Sequence, residues 1–205
     1  MKVPVLIVAV IAAILLAGCV RSLHPIYTSS DVVFNKELIG TWKQSDQETT
    51  WQFTESKDDE RDRAFRLVVT DDKGRPGTFL AHLVKLDDEL FLDLFPIAPQ
   101  VANNGFYKFH FQRVHTFLRF GLGGQNLTLA PMNPDWLEKH LQEHPDALSH
   151  TNVTPSGHVP TGKEENAAER LLLTASTAQL QRFLRKYADT EGAFGDPIEL
   201  KKIVQ

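Results

Sequence analysis

The chain has 205 residues, a formal charge of −4 and ordinary contents of charged and hydrophobic residues. That size allows one sizeable core. The acidic balance argues against a nucleic-acid partner and against a broad electrostatic membrane patch.

Met1 and Lys2 form a short positive start, and Val5 to Ala17 follow without a charge. A bilayer-crossing helix needs about 20 apolar residues, whereas the core of an export signal needs roughly 7 to 15. Residues 1–18 therefore read as an export signal. Leu16-Ala17-Gly18-Cys19 resembles the lipobox of bacterial lipoproteins, in which the cysteine is acylated before cleavage. The resemblance implies that Cys19 carries palmitate-type chains and becomes the first residue of the mature protein. Cys19 is also the single cysteine, so it has no disulfide partner within the chain. Val20 follows it where an aspartate would resemble an inner-membrane retention signal. The expected place is thus the outer membrane, facing the periplasm. Residues 19–37 are expected to form a lipidated tether. Its Ser22-Leu23-His24-Pro25-Ile26-Tyr27 stretch is apolar enough to dock on the body.

Residues 38–205 read as one β-rich domain. Between 38 and 132 the spacing predicts an antiparallel meander of about eight short strands, a barrel or strongly curved sheet. They are Thr41–Lys43, Thr49–Thr54, Phe65–Thr70, Thr78–Leu86, Leu90–Phe95, Phe106–Arg113, His115–Gly121 and Leu127–Pro131. Turn residues separate them, among them Asp71 to Gly77 and Gly123 to Asn126. Residues 133–205 change character and form a helical extension packed on the sheet. Asn133 and Pro134 open a helix that runs through Glu143 and stops at Pro145. Thr151 to Asn166 is loop-like, and Arg170–Thr174 suits a strand. Ser176 and Gln179 make a capping box for a second helix, with Leu180, Phe183, Leu184 and Tyr187 along one face. Ile198–Val204 is a last strand.

Leu38-Ile39-Gly40-Thr41-Trp42 contains a Gly-x-Trp that resembles the opening motif of lipocalins. In that family the tryptophan plugs the closed end of an eight-stranded barrel that holds an apolar ligand, and a late arginine packs over it. No arginine stands near Leu127 to Pro131 to play that part, and the chain continues well past the last expected barrel strand. A barrel filled by its own side chains is the alternative to a ligand cavity. The Ser-Leu-His-Pro-Ile-Tyr start followed by Leu-x-Gly-x-Trp also resembles a group of bacterial lipoproteins, a likeness that brings no activity with it.

Two constellations bear on chemistry. Trp42, His82, His110, Arg113, His115 and Arg119 are candidate ligand contacts. The two arginines and three histidines would suit an anionic headgroup or carboxylate if they faced one concavity. Alternation puts His115 and Arg119 opposite Leu118 and Phe120, on what is ordinarily the solvated face. His140-Leu141-Gln142-Glu143-His144 matches the H-x-x-E-H pattern of inverzincin proteases. It supplies the alternative of a zinc-dependent or other envelope hydrolase, with Glu191 or Glu199 as the missing ligand. Pro145 leaves His144 on a fraying end, and an amphipathic helix burying Trp136, Leu137 and Leu141 explains the same residues. No catalytic constellation and no cofactor is expected. The expected function is therefore binding, either of a lipid-like ligand or of an envelope protein.

Overall fold

A computed structural model describes residues 20–45, 47–56, 63–98, 105, 112–153 and 171–203. In chain order it runs β1 (Arg21–Ser22), β2 (Val32–Val33), a 3₁₀ turn (Lys36–Leu38), β3 (Gly40–Gln44), β4 (Thr50–Glu55) and β5 (Phe65–Thr70). Then come β6 (Pro76–Leu86), β7 (Glu89–Pro96), β8 (His115–Gly123), β9 (Asn126–Pro131), helix α1 (Pro134–Glu143) and β10 (His150–Asn152). β11 (Leu171–Leu173), helix α2 (Thr177–Tyr187) and β12 (Ile198–Ile203) complete it.

The mainly-β class is as the sequence indicated: among the described residues the chain forms a closed antiparallel barrel of eight strands, with further strands outside it and the helices α1 and α2. Strands β3 to β9 pair in succession. The eighth member is β12, which enters between β9 and β3 and joins the ends of the meander. The expected strand Phe106–Arg113 lies largely outside the described residues. Residues 106–111 lie outside the described residues, and Gln112 and Arg113 are not in a strand. Closure by β12 leaves no open edge on the barrel, which removes a template for unwanted pairing.

Alternation sends one set of side chains inward. Trp42, Phe53, Phe65, Leu67, Leu83, Leu92, Leu127 and Leu129 are all buried within a single interior cluster. Burial of each such side chain contributes roughly 1.5–3 kcal/mol. The opposite faces of β6, β7 and β8 are also apolar. Val84, Leu86, Phe91 and Phe117 meet Leu137 and Leu141 of α1 and Leu180, Phe183 and Leu184 of α2 in a second core. Strands covered on both faces read as near-continuous apolar runs, as Leu90-Phe91-Leu92-Asp93-Leu94-Phe95 does. Both helices start where their caps dictate. Asn133 accepts from Asp135 N and Trp136 N, and Ser176 and Gln179 form a reciprocal capping box.

The segment before the barrel is built into the body. β1 lies between β8 and β11, antiparallel to the first and parallel to the second. Val20 and Ile26 are buried in the outer core. β2 pairs with the part of β6 that extends past β5, and the 3₁₀ turn then leads into β3.

Candidate functional site

Gly40 and Trp42 stand at the start of the barrel. The indole is fully buried, and its Nε1 donates to the Leu38 carbonyl at 2.8 Å, tying the 3₁₀ turn to the barrel floor. Lys202 on β12 places its ammonium 5.1 Å from the indole ring centre and donates to the Glu37 carbonyl at 2.6 Å. A cation over the tryptophan is thus present, on the closing strand rather than near Leu127 to Pro131. It went unseen because β12 reads as part of the extension until its pairing with β3 is known. Gly40 has φ +135°, and a Cβ there would stand 2.8 Å from Lys202 Cε. The glycine therefore serves both the backbone turn and the lysine's approach.

His82 and His115 come together on the outer face, around a residue not singled out from the sequence. Asp93 is fully buried and is the cross-strand partner of His82. Its Oδ1 accepts from His115 Nδ1 at 2.7 Å, and its Oδ2 accepts from the backbone N–H of Ile26 at 3.1 Å. Tyr27 stacks on His82 with ring centres 4.2 Å apart, and its hydroxyl lies 3.3 Å from His82 Nε2. Gln181 of α2 donates to the Ile26 carbonyl at 3.0 Å and to Asp31 at 2.8 Å. The Asp31 carboxyl is pulled two ways. Burial raises its pKa, and hydrogen bonds from Thr28 and Gln181 outweigh that and hold it below the usual value.

The face opposite Leu118 and Phe120 is thus not solvated at His115, because residues 20–31 and α2 cover it. The polar groups there receive the chain's own N-terminal segment. An isolated buried carboxylate is strongly unfavourable, and here the Ile26 N–H and the histidine satisfy it. The signal for Asp93 was available: it is the one charge in the apolar run of β7.

The remaining candidates lie apart. Arg113 is exposed, with its guanidinium 4.4 Å from the Phe95 ring, which in turn stacks on His115 at 4.5 Å. Arg119 bonds Glu89 and Asp189 at 2.7 Å each and the Ala188 carbonyl at 2.9 Å, tying β7, β8 and the end of α2 together. It edges a groove of about 460 Å³ that also takes in Thr128, Asp189, Glu191, Phe194 and Pro197. His110 lies outside the described residues.

On α1, His140 stacks on Trp136 with ring centres 4.9 Å apart and meets Tyr187 edge-on at 4.6 Å. Its Nε2 is shielded from solvent and finds no hydrogen-bond partner among the described residues. Burial, with the neighbouring His144, pushes its pKa below the ordinary histidine value. His144 and Glu143 are exposed, as are Glu191 and Glu199. Among the described residues no three His, Cys, Asp or Glu side chains converge as metal ligands. No described helix is long and apolar enough to cross a membrane.

Comparison with protein-family models, with curated proteins and with solved structures finds no match to this chain.

Proposed function

We propose that this chain is a lipid-anchored protein of the bacterial envelope whose barrel acts as a protein-binding module at the membrane surface. The observation that carries the reading is the junction at residues 19 and 20. A lipobox-like Leu16-Ala17-Gly18-Cys19 runs directly into Val20, which is 3% exposed, and into a paired strand. More than one acyl chain on Cys19 would give stable anchoring. Val20 in place of an aspartate favours the outer membrane, with the barrel in the periplasm.

A protein partner is favoured over an apolar cargo by the large side chains buried inside the barrel. Trp42, Phe53, Phe65, Leu83, Leu92 and Leu127 are all buried in one cluster inside the barrel, where a ligand would otherwise lie. The Gly40-x-Trp42 opening, with Lys202 over the indole, supports an architecture akin to lipocalins in which side chains replace the ligand. The hydrolase reading draws no comparable support, since His140 offers no exposed ring nitrogen at Nε2.

Two measurements test the proposal. Labelled palmitate should enter the wild type and be lost in Cys19→Ser, and equal labelling of both defeats the anchor. Mass spectrometry of natively extracted protein should find no stoichiometric small molecule beyond the covalent acyl chains. A bound lipid at one per chain would replace the partner reading with the carrier one.

A further inference from the structure

We infer that the domain sits on the bilayer in one fixed orientation, with the side formed by α1, β10 and β11 against the lipid headgroups and the outer face of β4 and β5 turned away. The inference rests on Cys19 carrying the lipid. It concerns what the body does once held, which anchoring alone does not decide.

The length of free chain between lipid and body sets how far the domain can turn. An ordinary tether of n flexible residues reaches about 5–6 Å × √n and lets a domain tumble. Here that length is absent. Val20, the residue after the proposed lipid site, is buried in the outer core that also holds Leu137 and Leu141 of α1 and Leu171 of β11. Arg21 pairs with Thr116 on one side and with Leu172 on the other. Leu23 N donates to the Leu173 carbonyl at 2.9 Å, and Ile26 is clamped at both its N–H and its carbonyl. One residue spans at most about 3.6 Å, so the acylated backbone stands within a side chain's length of the folded body.

The topology then selects the side. β1 runs parallel to β11, so its beginning lies beside Leu171, which pairs with Asn152 of β10. Leu171 and Asn152 border a shallow apolar recess together with Leu141 and Gln142 of α1. In the barrel order, β8 and β9 lie across from β4 and β5. Gln142 and Asn152 are therefore exposed positions on the anchored side, and Gln52 is exposed on the opposite one.

The test uses the full-length acylated protein in phosphatidylethanolamine–phosphatidylglycerol vesicles that contain headgroup-quencher lipids. With Cys19 acylated, Gln142→Cys, Asn152→Cys and Gln52→Cys each offer one free thiol for a fluorophore. Quenching at 142 and 152 should exceed that at 52 several-fold. Inserting twelve Gly/Ser residues between Cys19 and Val20 gives a reach of about 20 Å and should bring the three positions toward equality. Equal quenching without the insert overturns the fixed seat while leaving the anchor intact. An unchanged difference with the insert overturns the short connection as its cause. Failure of palmitate labelling with no vesicle association sinks the seat and the anchor together, so the two failures are told apart.

Discussion

At position 40 the backbone adopts φ +135° with Lys202 folded over the place where a Cβ would stand. Gly40→Ala should destabilise the barrel by about 1–3 kcal/mol through backbone strain alone. Adding Lys202→Ala relieves the close contact but not the dihedral. In a double-mutant cycle by urea denaturation, the cost of Gly40→Ala should thus shrink without vanishing. A fully additive cycle would show that the lysine does not confine the site. Asp93 permits a sharper contrast. Asp93→Ala leaves both the Ile26 N–H and His115 without their acceptor, which should cost about 3 kcal/mol, whereas Asp93→Asn keeps an acceptor and should cost less. His140 gives the pH dependence. Its folded pKa lies below the ordinary 6.5, first by burial and then by His144. The unfolded chain then takes the proton first, so this contribution is intact above pH 6.5 and is lost as the pH falls below it. His140→Phe should flatten that part of a stability–pH profile, and NMR should find the His140 titration midpoint below that of an exposed histidine.

The elements differ in how openly the sequence announces them. Both helices carry their boundaries in local chemistry, so Asn133 and Ser176 were readable as caps before any packing was known. Ser176→Ala should cost about 1 kcal/mol in thermal unfolding, since the cap satisfies the first-turn donors of α2. The strands from β3 to β9 were legible for a related reason, because turn residues and period-two alternation are local. What local reading does not carry is a partner at great sequence distance. β12 was visible as a strand, but nothing in Ile198–Ile203 itself says that it pairs with Gly40–Gln44 and closes the barrel. The outer-face cluster was half legible in the same way. His82 and His115 could be gathered from strands of one meander, while Ile26 and Gln181 enter from segments far apart in sequence. A chain ending at Gly195 tests the role of β12. It should lose its near-ultraviolet circular dichroism and self-associate through the exposed edges of β3 and β9, as light scattering would show.

At the scale of the molecule, two apolar cores share one wall. The strands β6 to β8 carry interior side chains toward the barrel axis and exterior ones toward the helices, and the N-terminal segment is pressed against that outer layer. The two ends of the chain thereby serve different layers of one sheet, β1 on the flank of β8 and β12 in the gap between β9 and β3. This division sets an order of events in time. Pairings between the first and last parts of a chain are slow to form, because long loops must close before any contact rewards them. The meander from β3 to β9 can form from contacts between neighbouring strands, but the cylinder stays split until β12 has paired with both β9 and β3. Closure of the barrel therefore waits on one six-residue strand, whose partner β3 lies more than 150 residues earlier in the chain.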